Sequence, residues 1–121
     1  MRRIVNGLPD ALLHACQVPY GDGLMYRRNF PRTKERHTLQ RQICKVFEEA
    51  NEAERELEMA RKKAKLGQPA SAMPLIVELL DVVHAVETML DDLNATQEQV
   101  AMAHDAVIRK NRARGYYEEE R

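Results

Sequence analysis

Five carboxylates in the middle of the chain have a spacing that could bind a metal ion between two helices. Glu48, Glu49 and Glu52 fall within about 100° of arc on a helix of 3.6 residues per turn. Glu78 and Asp81 are three residues apart and share one face of a second, strongly apolar segment. A buried carboxylate needs a cation, a metal or a proton. If the two segments form an antiparallel hairpin, the two acidic groups converge.

Carboxylates gathered at one point repel each other, and a hard divalent cation removes that repulsion. Ligand sets made only of oxygen suit Mg²⁺ or Mn²⁺. Mg²⁺ held by carboxylates keeps positions open for substrate phosphates, and a bound metal lowers the pKa of its water. Each acidic group also has a simpler interpretation. The first could be a solvated helix face, and Glu78 and Asp81 could pair with Arg or Lys from another helix; the combination favours the metal site.

The first acidic group lies in an amphipathic segment. Its apolar residues recur at steps of three and four and form one stripe: Leu39, Ile43, Val46, Phe47, Ala50, Ala53 and Leu57. We expect a long helix that begins near Thr33 or Thr38 and ends near Lys65. Gly67 follows as a helix stop. Glu49 falls near the edge of the stripe, so it can face a packed neighbour.

The second acidic group lies in a segment that is apolar almost all round. Ser71 and Pro74 mark its start, and it runs to about Leu93. A helix that is apolar on all sides is usually buried between neighbours. We therefore expect this helix to lie inside a bundle.

A third helix is predicted after these two. Thr96 with Gln99 fits a capping box, and Gly115 is a plausible stop. With no Trp and little strand-like alternation, the sequence predicts an all-α fold of the helical-hairpin or four-helix-bundle type. One amphipathic helix and one helix that is apolar all round present much apolar surface for three helices to cover, which gives partial support to a bundle completed by oligomerisation.

The remaining segments lie at the two ends of the chain. Residues 1–37 hold three of the five glycines and three of the five prolines, which indicates an N-terminal arm that is partly irregular. Pro9 could start a short helix over residues 11–13. We expect a helical domain over residues 38–117 and a frayed tail over residues 118–121.

Composition narrows the function classes. The 121 residues carry 19 basic and 19 acidic side chains, so the net charge is zero and a general nucleic-acid binder is disfavoured. The charges are nevertheless segregated: residues 47–58 contain six Glu and one Arg. This segregation fits solvated helix faces or a polyanion held through metal ions. No apolar run is long enough to span a bilayer, and Cys16 and Cys44 make no disulfide framework, so we expect a cytoplasmic protein without membrane contact.

Three motifs in order resemble the MazG-like, all-α nucleoside triphosphate pyrophosphohydrolase superfamily. Its EExxE and ExxD signatures correspond to Glu48-Glu49-Ala50-Asn51-Glu52 and Glu78-Leu79-Leu80-Asp81. Asp81-Val82-Val83-His84 also looks like the family's sequence after the aspartate. The third motif is Lys110-Asn111-Arg112-Ala113-Arg114-Gly115-Tyr116, which is similar to the family's C-terminal segment. The resemblance covers roughly residues 38–117.

The resemblance implies an activity and a site. Family members use water activated by a metal to cleave a (deoxy)nucleoside triphosphate into the monophosphate and pyrophosphate. Carried over to this chain, the ligands of Mg²⁺ would be Glu49, Glu52, Glu78 and Asp81. Mn²⁺ is the alternative metal. Glu48 would be the catalytic residue that orients or deprotonates the water. Contacts to the phosphates or the sugar would come from Lys110, Asn111 and Arg114.

The family also implies a homodimer or homotetramer, with the nucleotide pocket near a subunit boundary. Two other functions are compatible with the sequence. One is a non-catalytic helical module that binds a nucleotide or a protein. The other is a relative of phosphoribosyl-ATP pyrophosphohydrolase, a family that shares the acidic helix pair. The base and the sugar of the substrate are not specified by these motifs.

Overall fold

Three helices make up most of the computed structural model: α1 (Leu39–Lys65), α2 (Met73–Asp92) and α3 (Gln97–Ala113). The structure describes residues 26–118 and, in the N-terminal region, the backbone of residues 4–5 and 8–9. The all-α class is confirmed for residues 26–118.

A minimal strand pair lies near the N-terminus. Strands β1 (Ile4–Val5) and β2 (Leu8–Pro9) pair antiparallel, with Ile4 opposite Pro9 and Val5 opposite Leu8. The short helix predicted over residues 11–13 lies outside the described residues. So does Cys16.

Two compact units divide the chain. One is Arg28–Asp92, which contains α1 and α2; the other joins Met1–Arg27 to Leu93–Arg121 and contains α3. Residues 28–37, which we call the arm segment, belong to the first unit and form neither helix nor strand. Most of the predicted arm, residues 1–37, lies outside the described residues, so its bounds stay a prediction.

Helix α1 begins and ends where its capping residues require. The Thr38 hydroxyl accepts a hydrogen bond from the Arg41 N–H at 3.1 Å, so Thr38 rather than Thr33 is the N-cap. At the other end, Gly67 has φ +68°, and the Gln68 N–H donates to the Lys63 carbonyl at 2.9 Å. This is the Schellman arrangement, in which a glycine adopts the left-handed conformation that a side chain disfavours.

The interior of the α1–α2 hairpin is small and partly polar. Ala53 of α1 and Ala85 of α2 are buried, as is Gln42, which is only 2% exposed. The Gln42 side-chain amide donates to the Ala85 carbonyl at 3.0 Å. A buried amide that makes such a bond ties the two helices together at a fixed register.

One side of α2 differs from its predicted burial. Ile76, Val77, Leu79 and Leu80 are 45–50% exposed in the single chain. The reason is geometric, because a hairpin gives α2 one helical neighbour and therefore covers one side of it. The prediction of an oligomer that completes the bundle is neither met nor contradicted by a single chain.

Helix α3 has the capping box that the sequence predicts. The Gln99 N–H donates to the Thr96 hydroxyl at 3.1 Å, and the Thr96 N–H donates to the Gln99 side-chain oxygen at 2.8 Å. Gly115, with φ +74°, follows the helix in a second Schellman arrangement. Within the described part of the chain, no helix has the length and apolar character that crossing a membrane requires.

Candidate metal centre

Three of the predicted carboxylates meet across the hairpin. Glu49 and Glu52, three residues apart on α1, and Glu78 of α2 each place one carboxylate oxygen within 4.8 Å of the other two. The i, i+3 spacing puts both α1 residues on one face, and the hairpin brings Glu78 opposite them. Glu49 is only 9% exposed, Glu78 is half-buried and Glu52 is exposed. The group is therefore open to solvent on one side.

The surroundings of Glu78 disfavour the charged form of its carboxyl group. Burial raises the pKa of its carboxyl, and the charges of Glu52, Asp81 and Glu49 raise it further. Its Oε2 atom is buried and has no hydrogen-bond partner among the described residues. Acceptor oxygens in this condition are normally satisfied by a donor, a water or an ion. A cation at this point would both neutralise the charges and occupy the unpartnered oxygen.

A lysine also approaches the group. The Lys45 Nζ atom lies 3.1 Å from Oε1 of Glu49, one helical turn along α1. The hydrogen bond to Glu49 and the negative charge around it raise the pKa of the Lys45 ammonium, so it remains charged at neutral pH. Lys45 therefore neutralises part of the acidic group without any metal.

The other two predicted acids lie beside the group of three. Asp81 is exposed; its charge acts on Glu78, and it lines a pocket together with Glu49. Glu48 is exposed and contributes to the raised pKa of Lys45. Neither carboxylate belongs to the set of oxygens within 4.8 Å. Their roles as fourth ligand and as base remain predictions.

The predicted phosphate-binding residues lie at the end of α3, in the second unit. Lys110 and Arg114 are exposed and Asn111 is half-buried. The Asn111 carbonyl accepts the Tyr116 N–H at 3.0 Å, as part of the Schellman arrangement. The role of the three side chains in binding a substrate stays a prediction.

A pocket that the sequence gives no sign of adjoins the acidic group. It has a volume of about 330 Å³, shares Glu49 with that group and is also lined by Asp81. Its walls also include His84, Ala85 and Thr88 from α2. His84 is half-buried, and its ring lies 4.9 Å from the Phe30 ring, centre to centre.

A second set of acids on α2 binds the arm segment. Glu87, only 2% exposed, accepts hydrogen bonds from the backbone N–H groups of Asn29 and Phe30 at 2.7–3.0 Å. Asp91 forms a two-point ion pair with Arg28 at 2.8 and 3.0 Å. The sequence contains both acids but no local signal that they bind the arm, because their partners are 57–63 positions away.

The geometry therefore presents an oxygen-only group suited to a hard cation, a flanking ammonium and an adjoining pocket. A site with these parts can bind a ligand that carries phosphate and direct its other end into the pocket. Comparisons of the chain with protein-family models, with curated proteins and with solved structures found no match.

Proposed function

We propose that this protein is a Mg²⁺-dependent nucleotide pyrophosphohydrolase that cleaves a (deoxy)nucleoside triphosphate into the monophosphate and pyrophosphate. The supporting observation is the convergence of three carboxylate oxygens from two helices within 4.8 Å. Like charges this close are costly without a counter-charge, and one buried oxygen of Glu78 has no partner among the described residues. The order of motifs, which resembles the MazG-like superfamily, supplies the choice of substrate.

The ligands of the ion in this proposal are Glu49, Glu52 and Glu78, with Asp81 as the fourth. Mg²⁺ is the first choice and Mn²⁺ the second, because all donors are carboxylate oxygens. When bound, the ion supplies charge neutralisation for the phosphates and a more acidic water.

The chain's own residues position the reactants and move the proton. Glu48 accepts the proton of a water whose oxygen bonds to the α-phosphorus. The bond from that phosphorus to the oxygen bridging the β-phosphate breaks, and pyrophosphate leaves with the bonding electron pair. The resemblance assigns the contacts to the phosphates or the sugar to Lys110, Asn111 and Arg114. Such a reaction needs alignment and charge neutralisation more than a covalent nucleophile.

The proposal includes a homodimer or homotetramer in the cytoplasm. The exposed apolar side of α2 supports an assembly of copies, because Ile76, Val77, Leu79 and Leu80 are each close to half exposed. Adjacent exposed apolar side chains of this size mark interaction surfaces.

Product analysis tests the proposed reaction. The purified protein is incubated with Mg²⁺ and a panel of ribo- and deoxyribonucleoside triphosphates and phosphoribosyl-ATP, and the products are separated by ion exchange. We expect monophosphate and pyrophosphate, lost on chelation and in Glu49→Gln and Asp81→Asn. Glu54→Gln is the matched control, since Glu54 is exposed on α1 and lies two residues from Glu52, off its face. Release of phosphate alone, or full activity of Glu49→Gln with Asp81→Asn, would overturn the proposal.

A non-catalytic binding module is the second candidate, favoured by the Lys45–Glu49 ion pair. An ammonium 3.1 Å from Glu49 stabilises that carboxylate without a metal. Thermal unfolding separates the two functions, because a metal bound only by the native state raises the melting temperature by mass action. No shift in millimolar Mg²⁺ or Mn²⁺, with no turnover of any nucleotide, would favour the module.

A further inference from the structure

The pocket beside the acidic group has one wall that is not part of the helical hairpin. Four of its eleven lining residues belong to the arm segment: Thr33, Lys34, Glu35 and His37. The volume of about 330 Å³ lies at the lower end of the range for small-molecule sites. Without the arm segment the same place would be an open groove between α1 and α2.

Hydrogen bonds to charged side chains of α2 hold the arm segment in place. Glu87 accepts from the Asn29 and Phe30 backbone and from the Asn29 side chain, at 2.7–3.1 Å. Asp91 holds Arg28 by two bonds, and Arg36 lies 3.7 Å from Asp92. Hydrogen bonds to a charged partner are about twice as strong as neutral ones. We call Glu87 and Asp91, with these partners, the latch.

The far end of the arm segment is joined to the hairpin by a second set of bonds. His37 Nδ1 lies 3.2 Å from the side-chain oxygen of Gln42, whose nitrogen donates to the Ala85 carbonyl. Phe30, at the near end, stacks on His84. The part of the arm segment that lines the pocket is therefore attached to the hairpin on both sides, near Phe30 and at His37.

Along α2, the lining of the pocket is acidic at Asp81 and uncharged at Thr88. Asp81, beside the acidic group, and Thr88 both line it, and seven residues of helix span about 10 Å. Lys45 and Lys34 add positive charge to the walls. A ligand with a phosphate at one end and a ring system at the other fits this polarity.

We propose that the arm segment is the substrate-binding wall of this pocket, and that the pocket holds the nucleoside part of the substrate with its phosphates toward Glu49 and Asp81. Glu87 and Asp91 are positioning residues, because they hold the arm segment against α2 and do not line the pocket. The inference rests on the proposed function for the identity of the phosphate-bearing ligand, and it assigns to the arm a role that the helical motifs do not contain.

Kinetics of a latch variant test the role of Glu87. Glu87→Gln keeps the size of the side chain but puts an NH₂ group where backbone N–H groups now donate. Loss of these hydrogen bonds releases the arm segment from α2 in a fraction of the molecules. Because only molecules with the arm segment in place bind substrate well, KM should rise by about tenfold, while kcat should change by less than about twofold. Glu54→Gln is the control with unchanged constants. A folded Glu87→Gln with the KM of the wild type would overturn the proposal.

Hydrogen exchange on the wild-type chain provides a test that needs no variant and no turnover. With Mg²⁺ present, a panel of nucleoside monophosphates should slow exchange of the backbone amides of residues 32–37. Pyrophosphate, which has no nucleoside, should leave them unchanged. Equal exchange with and without every monophosphate would overturn the proposed wall.

The two tests separate this inference from the proposed function. Slowed exchange without hydrolysis of any triphosphate would support the nucleoside pocket and refute the enzyme. Hydrolysis to monophosphate with unaltered exchange and an unaltered KM in Glu87→Gln would support the enzyme and refute the wall.

Discussion

Gln42 is the residue at which a single substitution tests the organisation of the hairpin most directly. Its side chain is 2% exposed, donates to the Ala85 carbonyl at 3.0 Å and lies 3.2 Å from His37 Nδ1. Gln42→Met keeps nearly the same volume and removes the donor. The bond between α1 and α2 is then lost, while the packing is retained.

The expected cost follows from the kind of bond removed. An intramolecular hydrogen bond contributes about 1 kcal/mol net. The Ala85 carbonyl lies inside α2 and keeps its helical hydrogen bond, so Gln42→Met should cost about 1 kcal/mol in the free energy of unfolding. For a chain of this length, 1 kcal/mol lowers the melting temperature by about 4 °C. Gln42→Ala adds an unfilled space and should cost about 2 kcal/mol more.

Urea titration followed by circular dichroism measures the free energy of unfolding. Gln40→Met is the matched control, because Gln40 is exposed two residues earlier on the same helix, and it should change stability by less than about 0.5 kcal/mol. If Gln42→Met is as stable as the wild type, the amide does not join the helices and the reasoning is wrong. If Gln40→Met costs as much, the loss is not specific to the buried amide.

Three further predictions concern the charged groups. Because Arg28 holds the pKa of Asp91 below its usual range, the stability that Asp91 contributes is present above about pH 4 and lost as pH falls through the lowered pKa. When the free energy of unfolding is measured against pH, Asp91→Asn should lose less stability below about pH 4 than the wild type does. A curve identical to that of the wild type would contradict this prediction. Because the folded pKa of Glu78 is raised, Glu78→Gln should raise the melting temperature in chelator at neutral pH, whereas a drop would show that the charge is already compensated. Mg²⁺ at about 100 times its dissociation constant should stabilise the wild type by about 2.7 kcal/mol and leave Glu49→Gln unaffected in the same thermal scan.

Features governed by local sequence were predictable. Thr38, Gly67 and the Thr96–Gln99 pair act within a few residues of themselves, so the chemistry of capping fixes the ends of the helices. The meeting of Glu49 with Glu78 also followed from local rules. Helical periodicity gave the face of each residue, and the short turn between α1 and α2 made an antiparallel hairpin the simplest arrangement.

Features that depend on distant pairing were not predictable. Arg28 and Asp91 are far apart in the chain, and an irregular segment has no periodicity that says where its charges go. The pocket depends on that pairing, so Thr33 and His37 could not be recognised as its lining. The exposed side of α2 shows the same limit, because apolar periodicity states that a face needs cover and not which molecule covers it.

The way in which Glu87 binds the arm has a consequence for how the sequence can change. Two of the three groups that donate to it from residues 29 and 30 are backbone N–H groups, which nearly every amino acid carries. Substitutions at these two positions should therefore leave the anchor intact unless they introduce proline, which lacks the donor. Related chains would preserve the acid at position 87 while positions 29 and 30 drift, and a search for the arm by its own residues would miss it.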